Sequence, residues 1–157
     1  MAVYKFFWDD FCAWYLEMVK PAYGAGIDVA TYGATIGFFD SLLKLLHPFM
    51  PFITEELWQN LEERKAGETI MLQNAPACGE YETELLQQFE DASQIVMNVR
   101  NIRQTKGISP KDALSLFAKE PYNAAMDAVI KKLANISEIN VVAAFDTQAK
   151  LSSLLFV

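Results

Sequence analysis

The sequence predicts a mainly α-helical protein, an antiparallel helix bundle followed by a small α/β piece. Three observations carry that prediction. Apolar residues recur at helical spacing through four long stretches; prolines fall at the ends of those stretches; and beyond Pro110 the pattern turns strand-like. The 157 residues suffice for one ordinary domain, or one domain with an appendage. The division expected is a helical domain over 1–111 and a small β-α-β appendage over 112–157, both cut from a longer chain.

The first helix is predicted over Val3 to Lys20, with Val3, Phe7, Phe11, Trp14, Tyr15, Met18 and Val19 at helical spacing and Tyr4, Trp8 and Cys12 beside them. An apolar arc that wide needs partners on more than one side. Pro21 ends the helix, and Tyr23-Gly24-Ala25-Gly26 reads as loop. A second helix is expected from about Thr31 to Leu46, carrying Tyr32, Ile36, Phe39, Leu43 and Leu46 on one face, and Pro48 stops it. Pro51 suits the first turn of a third helix, which Gly67 is expected to close. Its buried face is expected to hold Phe52, Ile53, Leu57, Trp58 and Leu61. Ile70-Met71-Leu72 reads as an extended triplet.

The fourth helix is the longest, from Thr83 as N-cap to Gly107 as its stop, with Leu85, Phe89, Ala92, Val96 and Val99 as its stripe. Ala113 to Ala118 is strand-like, Pro121 is expected to start a helix through Leu133, and Ile136 to Phe145 and Leu151 to Val157 read as strands.

Hydrophobic residues make up 52% of the chain, enough to exclude intrinsic disorder. The two cysteines, Cys12 and Cys78, cannot supply a disulfide framework or a metal cluster. No apolar run reaches the ~18 residues of a membrane span, and Asp9 and Asp10 rule out a signal peptide, so a reducing cytoplasm is expected. The net charge of −7 argues against general nucleic-acid affinity. That average hides a switch in sign. Residues 67–99 carry six acids and no base, whereas residues 100–111 carry Arg100, Arg103, Lys106 and Lys111 and no acid.

No catalytic constellation is present. His47 is the only histidine and sits before a proline in apolar surroundings, where it reads as a packed or helix-terminal residue. The sequence has no phosphate-binding glycine loop, nucleophile elbow or zinc motif. The acidic pairs Asp9-Asp10, Glu55-Glu56 and Glu62-Glu63 point in different directions on their helices and form no acid/base dyad.

The cationic tract is the candidate site. Arg100, Arg103 and Lys106, three residues apart, run along one side of the fourth helix beside the loop bearing Lys111, and could grip phosphates. They could equally complement the helix dipole or bridge neighbouring elements. Lys20 and Tyr23 at the end of the first helix could meet a phosphate and an unstacked base, or cover the end of the bundle. A helical protein-interaction scaffold fits the acidic charge and the wide apolar arc as a reading of another class.

The run His47-Pro48-Phe49-Met50-Pro51-Phe52-Ile53-Thr54-Glu55-Glu56-Leu57-Trp58 is very similar to a signature of the helical anticodon-binding domain of class Ia aminoacyl-tRNA synthetases. The opening Trp8-Asp9-Asp10-Phe11-Cys12-Ala13-Trp14-Tyr15-Leu16-Glu17 with Lys20-Pro21 looks like the valyl branch, as do Thr69-Ile70-Met71-Leu72, Arg100-Asn101-Ile102-Arg103 and Ile108-Ser109-Pro110. The isoleucyl and leucyl branches match this ensemble less closely. The resemblance implies contact with tRNA(Val) through the cationic helix end and near Lys20 and Tyr23. It implies no cofactor within these residues. ATP with Mg would serve the parent enzyme, in which a catalytic domain with HIGH and KMSKS motifs and an inserted editing domain precede this region; neither motif is found here.

Overall fold

The computed structural model describes residues 2–119, 123–142 and 154–156, and the chain divides into two compact units, Met1–Gly79 and Glu80–Val157. The fold is mainly helical with a small parallel sheet. The long fourth helix falls in the second unit.

The first helix is continuous in sequence but not uniform. It begins as α1 (Ala2–Lys5), becomes a π-helix over Phe6–Tyr15, and ends as α2 (Leu16–Val19). A turn closed by i→i+5 bonds is wider than an α-turn, so residues four apart come nearer to lying directly above one another. The aromatics exploit this. Tyr4 stacks on Trp8, Phe7 on Phe11 and Phe11 on Tyr15, each pair four residues apart. The ladder docks on α3 (Val29–Leu46) through Phe11 against Phe39 and the edge of Phe38 against Tyr15, while a hydrogen bond of 3.1 Å joins the Tyr15 and Thr35 hydroxyls. Tyr4 and Trp8 remain more than half exposed.

α3 starts two residues before its expected position because Asp28 is the N-cap, its carboxylate accepting from the Thr31 N–H at 2.9 Å. At its other end Pro48 and Pro51 force the corner into α4 (Pro51–Leu61). Buried Thr54 fixes that corner. Its hydroxyl donates to the Met50 carbonyl at 2.8 Å, so it must accept from His47 Nδ1, also at 2.8 Å, which makes Nδ1 the protonated nitrogen. His47 is therefore a corner brace.

α4 stops at Leu61, six residues short of Gly67, and Ile70–Leu72 forms a 3-10 turn where an extended triplet was expected. The turn traces to Glu55. Its carboxylate accepts from the Thr69 hydroxyl at 2.6 Å, the Ile70 N–H at 3.1 Å and the Gln59 amide at 2.7 Å. This tertiary anchor curls the turn back and drops Ile70 into the core beside Leu43 and Trp58, with Phe39 and Leu61 packed around them. Trp58 is 2% exposed and donates its indole N–H to Asp40 at 2.7 Å. Lys44 pairs with Asp40 from one turn away at 2.6 Å, and the Arg64 guanidinium lies 3.8 Å from the Trp58 ring centre.

In the second unit α5 (Thr83–Lys106) begins after Glu82, so Thr83 is its first residue rather than its cap. Its end is as expected: Gly107 adopts φ +65°, the left-handed conformation that glycine takes without strain. β1 (Leu114–Lys119) lies between β2 (Ile136–Val142) and β3 (Leu154–Phe156), all three parallel. The crossover from β1 to β2 runs through a 3-10 turn at Ala124–Met126 and α6 (Asp127–Ala134). The expected helix start at Pro121 and the expected strand beyond Val142 as far as Phe145 lie outside the described residues, as do Leu151 to Ser153 and Val157 of the last strand. Leu114, Leu116 and Ala118 of β1 are buried with Val96 and Val99 of α5 and Ile130 and Ala134 of α6.

The polar anchors of the first unit are open to direct measurement. Trp58→Phe keeps a ring in the core but removes the donor to Asp40, and should cost about 2 kcal/mol in denaturant unfolding. The Glu55 carboxyl lies below its ordinary 4.5, mainly through the Gln59 and Thr69 hydrogen bonds. A depressed folded-state pKa gives stability that is present above the ordinary value and lost as pH falls through the lowered one. Wild-type protein should thus lose more stability than Glu55→Gln between roughly pH 5 and 3, read by thermal melts across that range.

Candidate functional site

The expected site residues fall into two groups, one in each unit. In the first, Lys20 caps the end of α2 and its ammonium pairs with Glu17 at 3.3 Å at the solvent-exposed surface. Tyr23 is fully exposed in the turn beside Gly24, whose φ is +80°. Its ring covers nothing in its own unit, so the reading of Tyr23 as a lid on the bundle end is not what the structure shows.

In the second unit the tract on α5 divides by burial. Arg100 is exposed and donates to the Leu133 carbonyl at 3.2 Å. Arg103, one turn on, is 5% exposed. Its guanidinium donates to the carbonyls of Ser109 at 2.8 Å, Ala134 at 3.0 Å and Asn135 at 3.1 Å. Its Nε–H is buried without an acceptor among the described residues. Arg103 is thus a strut between the end of α5, the following loop and the end of α6. Of the two roles open to it in sequence, the structure assigns the bridging one. Three of its donors serve backbone carbonyls in this bridging role.

Asn135 completes the strut. It stands at φ +52°, a left-handed conformation that asparagine tolerates better than most residues, and its amide donates to the Pro110 carbonyl at 3.0 Å. Its own carbonyl receives Arg103, and Leu114 N at 3.4 Å. An asparagine just past an apolar helical run is a C-cap signal, and reading it so would have found the residue in sequence.

Around this strut lies a surface cavity of about 460 Å³, lined by Arg100, Arg103, Gln104, Gly107, Ile108, Pro110, Leu133 and Ala134. Arg100 and Arg103 are brought together on its wall. Lys106 and Lys111, both exposed, flank in sequence the Gly107–Pro110 segment that forms another part of it. Gln104, Ile108 and Leu133 gave no signal in sequence, since their meeting depends on how α5 and α6 dock. Among the described residues, no group of three or more His, Cys, Asp or Glu side chains could hold a metal ion. No helix among them is long and apolar enough to cross a membrane.

A family model described as the anticodon-binding domain of tRNA ligase matches residues 1–118. The chain belongs to that family. The valine–tRNA ligase of Porphyromonas gingivalis is 56% identical over 138 residues, 88% of this chain and 16% of the relative. That of Parabacteroides distasonis is 56% identical over 142 residues and that of Christiangramia forsetii 42% over 144, each covering 90% of this chain and 16% of the relative. The chain thus spans about a sixth of the length of the curated relatives it matches. Within this anticodon-binding family member, the strut and the exposed cations can be separated experimentally. Arg103→Ala should lower stability by at least about 3 kcal/mol, stranding three carbonyls and opening a buried gap. Arg100→Ala, at the exposed edge, should stay within about 1 kcal/mol in the same urea titration.

Proposed function

We propose that this chain is the tRNA-contacting part of a valine–tRNA ligase, and that it positions tRNA(Val) without performing the chemistry. The reading is carried by one observation: valine–tRNA ligases match 88–90% of the chain at up to 56% identity, across the cationic end of α5 as well as the apolar core. In this reading residues 1–111 belong to an antiparallel helical anticodon-binding domain and residues 112–157 are its β-α-β appendage. A catalytic domain elsewhere in the same polypeptide, which also carries an editing domain, joins valine to the tRNA with ATP and Mg, in the cytoplasm. Arg100, Lys106 and Lys111 meet the phosphates of the anticodon stem. Lys20 and Tyr23 approach a phosphate and an unstacked base, since single-stranded loops are where proteins read RNA sequence.

Physical support comes from the separation of tasks on α5. Arg103 holds the backbone, which leaves the helix end rigid while Arg100 stays at the solvent edge and Lys106 and Lys111 stand exposed. The acidic body does not oppose this, because phosphate contact is governed by the local cations.

The test is the salt dependence of tRNA(Val) binding by the full-length polypeptide. Lys106→Ala combined with Lys111→Ala should weaken binding and lower the slope of log K against log[salt] by roughly 0.7–0.9 for each lysine that meets a phosphate. An unchanged slope and affinity, with the fold intact by circular dichroism, refutes a role for this helix end in RNA binding.

A further inference from the structure

The cavity beside the Arg103 strut has a composition that phosphate contact alone does not explain. A site for phosphate needs cations at an open surface. This one is a recess of about 460 Å³, within the roughly 300–1,000 Å³ typical of small-ligand sites. Its walls combine two guanidiniums, Arg100 and Arg103, with the Gln104 side chain and an apolar group, Ile108, Pro110 and Leu133. Buried Arg103 brings to this wall an Nε–H with no acceptor among the described residues.

Each part has a partner in one kind of ligand. An apolar wall of Ile108, Pro110 and Leu133 can take the face of a planar ring. A carboxamide, with an acceptor and two donors, matches the edge of a base. A guanidinium at the rim carries five donors in a planar fork that suits phosphate and also stacks on bases. Sulfate-like anions use only the guanidiniums, and an apolar peptide side chain uses only the floor.

We propose that this cavity takes one unstacked nucleotide of the bound RNA. Its base lies against Ile108, Pro110 and Leu133, its edge meets Gln104, and its phosphate meets Arg100. The inference rests on the RNA-binding reading of the same helix end, and deepens it from backbone contact to capture of a single extruded residue. Arg103 is a positioning residue in this scheme, holding both helix ends at the width of a ring.

Gln104 permits a clean test because it is exposed on the outer face of α5, where substitution leaves the core intact. Gln104→Trp fills the recess with its own ring. In the full-length polypeptide it should weaken tRNA(Val) binding about tenfold with the salt slope unchanged, because no charge is removed. Lys106→Ala with Lys111→Ala serves as the reference. If that pair weakens binding while Gln104→Trp binds as wild type, nucleotide capture is overturned and the RNA-binding reading stands. If neither changes binding, both fall. If Gln104→Trp lowers the melting temperature at unchanged RNA affinity, a segment of protein occupies the recess and the proposal is wrong. A second measurement uses nucleoside monophosphates as probes: their saturable shifts at the amides of Gly107 and Ile108 are expected. The same shifts from inorganic phosphate alone overturn the base-binding part.

Discussion

A guanidinium removed from water is costly unless its donors find acceptors, and Arg103 finds three backbone carbonyls at two separated places in the chain, Ser109 and the adjacent Ala134 and Asn135. One is in the loop after α5, one is in the last residue of α6, and one is in the residue that starts the turn into β2. These carbonyls lie at one helix end and in a loop, where the backbone has no helical partner of its own. One side chain therefore satisfies several orphaned acceptors at once, and in doing so sets the distance between α5 and α6. The sheet inherits this placement, because Leu114 N takes the Asn135 carbonyl that Arg103 also holds.

The first unit uses the same principle with different residues. Its core is small, built around Leu43, Trp58 and Ile70, and several polar groups drawn in beside it are partnered. The Trp58 indole reaches Asp40, Thr54 joins the His47 ring to the Met50 carbonyl, and Glu55 gathers Thr69 and Ile70. The run from His47 to Trp58 that marks the family is therefore a corner and a core. His47, Thr54, Glu55 and Trp58 serve packing, and none of them is left over for RNA. Phe52, Ile53 and Leu57, expected on the buried face of α4, are exposed, and only Trp58 of that face is fully buried.

What was legible in the sequence follows from what is local. Helical spacing placed α3 and α5 to within two residues at each end, and Gly107 marked the end of α5 because only the left-handed conformation was needed there. The 3-10 turn at Ile70 was not legible, since it depends on Glu55 reaching fourteen and fifteen residues along the chain. The π-helix at Phe6–Tyr15 escaped for a related reason: its aromatics fit an α-helical period, and only their stacking at four-residue intervals favours the wider turn. At the candidate site, charge and spacing named Arg100, Arg103, Lys106 and Lys111. They could not say which guanidinium would be buried, because that is decided by the carbonyls of Ala134 and Asn135 more than thirty residues away.

The charge pattern of α5 reconciles an acidic chain with an anionic partner. Its 24 residues extend for about 36 Å at 1.5 Å per residue. Glu84 stands at one end, and Arg103 and Lys106 at the other. At physiological ionic strength, charges further apart than about 8 Å are largely screened from each other in solvent. Glu90 and Asp91 are some nine or more residues from Arg100, roughly 14 Å along the axis, so even the nearest acids of this helix lie beyond that length. A phosphate at the C-terminal end therefore meets the cations and barely senses the acids behind them. The same arrangement suits the helix dipole, with acids at its positive end and bases at its negative end. Folding and binding thus place the same demand on this sequence, which is why the switch in sign at residue 100 could be read as structural or functional with equal justice. Burial separates the two: Arg103 goes to the fold, and Arg100, Lys106 and Lys111 stay at the surface.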